Sequence, residues 1–251
     1  MGIIIKNLNY KNTFKNLNLE INNKDFITII GSSASGKTTL VNFLAKRITN
    51  DNVIIDYQQD EISVIFDDIE SNFIYDTVIE NLVFPLENLN YQRNEIENKI
   101  NNIVDYLKIK DLINSNINTL SGGEKELIAI AIALITEPKL LILDEPFIML
   151  DSIQKERIFK LLKKINRELK TTIIYLTNDT ESIVYGKTIG VISNKQIVTG
   201  NLKDILKNEK LFKSSNQKLP FMADLSLKLK YYDLIDDIIL NESKMVDALW
   251  K

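Results

Sequence analysis

The sequence predicts an α/β fold, a parallel sheet wrapped by helices, and three observations support it. FITII (26–30), LLIL (140–143) and TTIIYL (171–176) are short, almost unbroken apolar runs, as in strands buried on both faces. The long segments between them carry apolar residues at helical spacing. The loop GSSASGKTT (31–39) leaves the first of these strands and opens a helix.

Residues 1–30 read as strands joined by short turns, with LNLEI (17–21) alternating like a half-exposed strand. From Gly36 to Ile48, the positions Leu40, Val41, Phe43, Leu44 and Ile48 follow helical spacing, and VII (53–55) and SVIF (63–66) are further short strands. Residues 70–136 are mostly helical. In NEIENKINNIVDYLKI (94–109), Ile96, Ile100, Ile103, Val104 and Leu107 share a face, and an apolar helix follows over 126–136. After the strand 140–143, an amphipathic helix over 152–170 turns Ile158, Leu161, Leu162, Ile165 and Leu169 inward. Its Lys160, Lys163, Lys164, Arg167 and Lys170 read as a solvated face. The strand 171–176 ends in the polar cluster Thr177, Asn178, Asp179 and Thr180, at the kind of strand end where α/β proteins place chemistry. Around Lys213, Ser214, Ser215 and Asn216 the chain turns polar, and two short amphipathic helices follow. Leu225 and Leu229 sit four apart, as do Met245 and Leu249. By pattern alone, packing on the core and pairing with a second chain are equally open for this tail.

Composition narrows the function. With 251 residues, 45% hydrophobic, a sizeable core is available for one large domain with a small appendage. The net charge of −3 offers no field for nucleic acid. The absence of cysteine excludes disulfides and thiolate metal sites and fits a reducing compartment. With no histidine, any chemistry at the strand ends proceeds without an imidazole. The opening Met1 to Lys6 is too briefly apolar for a secretory or transit signal. The longest apolar run, LIAIAIALIT (127–136), falls well short of the roughly 20 residues of a membrane span. No internal repeat or low-complexity linker divides the chain.

GSSASGKTT matches G-x-x-x-x-G-K-[ST] between a buried strand and an amphipathic helix. Gly31 and Gly36 permit backbone angles that a Cβ obstructs. The turn through Ser32, Ser33, Ala34 and Ser35 directs N–H groups inward, and the helix N-terminus at Thr38 and Thr39 adds partial positive charge. Lys37 supplies a cation to β- and γ-phosphates, and Thr38 a hydroxyl ligand for Mg²⁺. LLILDEP (140–146) carries Asp144 to the end of a buried strand, where it can hold Mg²⁺. Glu145 can polarise an attacking water. Alone, this acid pair would read equally as a helix cap; beside the loop it does not. LSGGEK (120–125) contains the capping box Ser121 and Glu124 and a helix N-terminus open to an anion.

Taken in order, GSSASGKTT, LSGGEK and LLILDEP resemble the motifs of an ATP-binding cassette (ABC) ATPase, and the resemblance covers nearly the whole chain. It implies a P-loop ABC fold: a RecA-like core, an N-terminal antiparallel β subdomain, a helical subdomain at about 70–136, and a short C-terminal helical extension. In that family two cassettes pair head to tail around ATP and Mg²⁺. Carried over, Lys37, Thr38, Asp144 and Glu145 act in cis. Ser121, Gly122, Gly123 and Glu124 face the partner's ATP, and Asp151 matches the aspartate between the sites. The segment SNFIYDTVIENLVFPLENLN (71–90) and the tail 219–251 resemble ATPases of energy-coupling factor (ECF) transporters. This implies a nucleotide-binding domain over 1–215 and a dimerisation segment over 216–251. It further implies a homodimer or heterodimer of ATPases at the cytoplasmic face of the membrane. There a transmembrane coupling (T) protein and a substrate-binding membrane (S) protein would complete an uptake system for a vitamin or metal ion.

The sequence departs from the family at four places. Asp67, followed by Asp68, stands where a glutamine is expected after SVIF, and Gln58 and Gln59 lie too early. Asp67 is still an oxygen donor for Mg²⁺. Asn178 replaces the switch histidine; its amide can donate to the γ-phosphate but cannot become a cation. Leu127 stands where the signature helix usually has arginine. The adenine-stacking position falls near Asn12, flanked by Tyr10 and by Phe14, which reads as core. These departures motivate a second reading, a degenerate cassette that binds ATP and dimerises but relies on a partner for hydrolysis. A cassette acting on DNA or ribosomes is disfavoured by the acidic balance and the lack of a basic arm.

Overall fold

The computed structural model describes residues 2–147 and 150–250. Nine strands form two sheets among these residues. The smaller is antiparallel and joins β1 (Ile3–Tyr10), β2 (Phe14–Ile21) and β4 (Val53–Ile55) in the order β2-β1-β4. Its inward residues on β2 are Phe14, Leu17, Leu19 and Ile21. The register slips between Ile5 and Leu8, and Asn7 (φ 51°) and Asn16 (φ 53°) take left-handed backbone, which asparagine tolerates.

The larger sheet is built from β3 (Phe26–Ile30), β5 (Ile62–Ile65), β6 (Leu140–Asp144), β7 (Thr172–Thr177), β8 (Thr188–Ser193) and β9 (Gln196–Asn201). Their order is β5-β6-β7-β3-β8-β9, all parallel except β9. The unbroken apolar runs have a simple cause. Leu140, Ile142, Ile174 and Leu176 enter one core with the small sheet and α1 (Lys37–Leu44). Leu141, Leu143, Ile173 and Tyr175, one residue out of phase, enter another with the helical subdomain. Successive strand side chains point to opposite faces, and here both faces are covered.

The helical subdomain comprises α2 (Val78–Asn88), α3 (Arg93–Leu107) and α4 (Gly122–Leu134). Lys108 ends α3 in left-handed backbone, two residues before the expected end. Helix α4 begins at the glycines, four residues ahead of the apolar run. The strand expected at 63–66 lies one residue earlier, and α1 stops at Leu44 because Lys46 turns left-handed. Helix α5 (Ser152–Leu169) is capped by Asp151 and Gln154 and ends at left-handed Lys170. Ile158, Leu162 and Ile165 face inward as expected, but Leu169 is 48% exposed, and Phe159 is fully buried against Phe147, Tyr175 and Tyr185.

After β9 come α6 (Leu202–Lys207), α7 (Glu209–Ser214), α8 (Phe221–Tyr231) and α9 (Glu242–Leu249). The last two are the expected tail helices, but α8 buries Ala223 and Ser226 rather than Leu225 and Leu229. Ala223 joins a core with Ile189, Val191 and Phe212, and Ser226 Oγ donates to the Met222 carbonyl and accepts the Ile239 N–H. Met245 of α9 is buried, while Leu249 remains exposed. No described helix is long and apolar enough to cross a membrane.

Candidate functional site

The parallel order sets the C-terminal ends of β3, β5, β6 and β7 along one edge. The loop after β3 is tied to β7, Gly31 donating its N–H to the Thr177 carbonyl at 3.1 Å. Ala34 (φ 61°) and Gly36 (φ 105°) take left-handed backbone. A Cβ on Gly36 would lie 2.5 Å from Thr13 Cγ2, so this position needs glycine for space as well as angle. Inside the loop, Lys37 is only 5% exposed. Its Nζ donates to the carbonyls of Gly31 (2.8 Å) and Ser32 (3.0 Å) and pairs with Glu145 Oε1 at 2.9 Å.

Asp144 ends β6, nearly fully buried. Burial, then the charges of Asp67 and Glu145, push its carboxyl up to about 6, against the pull of Lys37 and a hydrogen bond to Thr38. The structure thus gathers Thr38, Asp144 and Asp67, the three residues expected to hold Mg²⁺. Glu145 follows in left-handed backbone (φ 55°), its N–H on the Leu176 carbonyl at 2.9 Å. Asn178 is exposed just past β7, next to Asp179. Burial opposes ionisation of Asp179, but Lys155 and Ser182 hold its carboxyl below the usual range.

The loop fits a polyphosphate. Ser35 Oγ is buried without a hydrogen-bond partner among the described residues, and α1 starts with no side-chain cap on its free N–H groups. Asp144, hydrogen-bonded to Thr38 with Asp67 nearby, offers a donor set that fits Mg²⁺, which uses one or two carboxylates, hydroxyls, water and the substrate's own phosphates. The adenine side is less ready. Phe14 is core, and Tyr10 packs edge-on against Phe43 (5.0 Å) with Lys11 over its ring (5.2 Å).

The other predicted residues assemble elsewhere. Ser121, Gly123 and Glu124 line a hollow of 340 Å³ with Leu150, Gln154 and Arg157. A Cβ on Gly123 would meet Gln154 at 3.3 Å, while one on Gly122 would meet nothing within 4 Å. Ser121 Oγ donates to Glu124 at 2.6 Å, closing the expected capping box. Sequence reasoning passed over Glu126, 3% exposed at the head of the apolar run, and Lys155, the partner of Asp179. A lone acid opening an apolar helix was the available signal for the first; the second had none.

A strand-loop-helix phosphate cradle facing buried Asp144 and partly buried Glu145 defines a P-loop nucleotide-binding protein of the α/β class. The profile of the ABC transporter family matches residues 14–148, more than half of the chain, and the chain belongs to that family. It is an ABC ATPase, the ATP-hydrolysing component of a transporter. It is 31% identical over 227 residues to an energy-coupling factor transporter ATP-binding protein of Mycoplasmopsis synoviae, covering 84% of each chain. It is 29% identical over 254 residues to the corresponding protein of Mycoplasmoides gallisepticum, covering 95% of this chain and 90% of the other. Longer Bacillus relatives are matched over 38–41% of their own length. Among solved structures, cbiO1 of Clostridium perfringens, part of the ABC transporter complex cbiONQ, superposes with a TM-score of 0.77. The identity there is 26%, covering 89% of this chain and 97% of that one.

Proposed function

We propose that this chain is the Mg²⁺-dependent ATPase subunit of an ECF-type uptake transporter, at the cytoplasmic face of the membrane, energising import of a micronutrient. One observation carries the reading: the phosphate cradle with its acids and the signature residues stand on different elements of one chain. Each chain therefore offers two half-sites, which a second ATPase, identical or related, completes head to tail. Lys37 neutralises the β- and γ-phosphates, and Thr38, Asp144 and Asp67 would hold Mg²⁺, which when bound would offset the charge of the triphosphate. Glu145, released from Lys37 by the incoming phosphates, takes the proton of the water that attacks the γ-phosphorus as its bond to the bridging β-phosphate oxygen breaks and ADP leaves, and Asn178 donates to a γ-oxygen. The intact set Lys37, Asp144 and Glu145 favours a hydrolysing subunit over a cassette that only binds.

Exposed apolar surface supports the partners. Ile74 (64% exposed) borders a hollow with Ser63, Pro85, Ala129 and Ile132, between β5 and the helical subdomain, suited to a T protein. Tyr231 (82%), Tyr232 (70%) and Trp250 (85%) crowd the tail and suit its role in joining the ATPases. The membrane S protein sets the substrate. The test is purification of the tagged chain from its own membranes: T, S and ATPase subunits co-purify with ATP hydrolysis. Glu145→Gln in that complex retains ATP and stops turnover. Undiminished turnover refutes Glu145 as base; purification without membrane subunits refutes the transporter assignment.

A further inference from the structure

Three segments that carry the chemistry meet at one lysine. Lys155 lies on the first turn of α5, its N–H on the Asp151 carbonyl at 2.9 Å. Its Nζ is 2.8 Å from Asp179 Oδ2, and both side chains are mostly buried. Asp179 is itself pinned: it accepts from Ser182 Oγ (2.8 Å) and the Glu181 N–H (3.0 Å), and its own N–H donates to Thr177 Oγ1 (3.0 Å). Asn178 is held inside this turn. Lys155 also acts on Glu126 of α4, whose Oε2 has no hydrogen-bond partner among the described residues. The neighbouring charges on α4 are committed elsewhere, Lys125 to Glu70 and Glu124 to Ser121.

We propose that Lys155 is a positioning residue for hydrolysis: its ion pair with Asp179 ties the turn carrying Asn178 to α5, and Glu126 of the signature helix, once ionised, competes for the same cation. With Lys155 on Asp179, the Asn178 turn is fixed; with Lys155 drawn to an ionised Glu126, it is released. Burial pushes the Glu126 carboxyl up to about 8, so at neutral pH it is uncharged and Lys155 stays with Asp179. The inference rests on the reading of Asn178 as the γ-phosphate contact.

The test uses the full chain purified with its co-purifying subunits and compares Lys155→Met, Lys155→Arg, Asn178→Ala and the Met/Ala double variant. Lys155→Met lowers kcat about tenfold with KM for ATP within about twofold, and Lys155→Arg restores most of the loss. The double variant falls no more than about twofold below the slower single, because both changes remove one arrangement. Native-like kcat in Lys155→Met, or losses that multiply in the double variant, overturn the proposal. Asn178→Ala at native kcat overturns the reading of Asn178 and this inference with it. A slow Asn178→Ala beside a native-like Lys155→Met overturns the inference alone. A second variant covers the case in which Lys155→Met does not fold. Native kcat declines as pH rises through about 8, where ionised Glu126 competes for Lys155, and Glu126→Gln removes that decline. Identical alkaline limbs in the two proteins overturn the proposal.

Discussion

Glu126→Gln is expected to flatten the dependence of stability on pH between 6.5 and 9. The carboxyl ordinarily titrates at 4.5; burial, relieved only in part by Lys155, carries it to about 8 in the folded chain. Below the lower value it is protonated in both states and costs nothing. Between the two values the unfolded chain has lost the proton that the folded chain keeps, so stability falls as pH rises and levels off above about 8. At about 1.4 kcal/mol per tenfold, the stretch above pH 6.5 amounts to about 2 kcal/mol, or about 1 kcal/mol where water reaches the site. For a chain of this size that is roughly 2–8 °C in Tm. The comparison isolates Glu126: the chain has no histidine or cysteine, and Asp144, pushed to about 6 and still changing at the lower end of the window, contributes alike to both proteins. Glutamine matches the protonated acid in shape and does not ionise. Thermal unfolding of both proteins in matched buffers reads the difference, and a Tm that falls as steeply in Glu126→Gln refutes the assignment.

Three further outcomes follow from the same contacts. Gly36→Ala forces a Cβ to within 2.5 Å of Thr13 and into left-handed backbone, so nucleotide binding measured by calorimetry should fall below detection, with about 1–3 kcal/mol of stability lost. Phe159→Ala, which empties the aromatic cluster of Phe147, Tyr175 and Tyr185, should cost about 3–5 kcal/mol in urea unfolding at unchanged slope. Asn178→His should leave turnover flat or lower it, because on the proposed reading the amide already donates to the γ-phosphate. A rise of roughly tenfold or more, the worth of one added phosphate contact, would instead mark a site impaired by asparagine.

The sequence by itself determined the fold class, the phosphate loop and the acids at the strand end. These rest on local signals: period-2 and period-3.6 patterning, glycines needed for left-handed backbone, and capping pairs such as Ser121 with Glu124. Element ends were legible to within a few residues, except where left-handed Lys46 stopped α1 early. Through the family resemblance it set the strand ending at Asn178 beside the one ending at Asp144 and Glu145, as the parallel pairing of β6 with β7 bears out, but the rest of the strand order was not legible because the crossovers are long. The inward face of α5 was legible at Ile158, Leu162 and Ile165 but not at Phe159, which packs on Phe147, Tyr175 and Tyr185, nor at Leu169, which the last turn leaves exposed. Above all, the pairing of Lys155 with Asp179 was decided only by the tertiary structure. A lysine on a helix reads as solvated until the fold removes the water around it and sets a carboxylate against its charge.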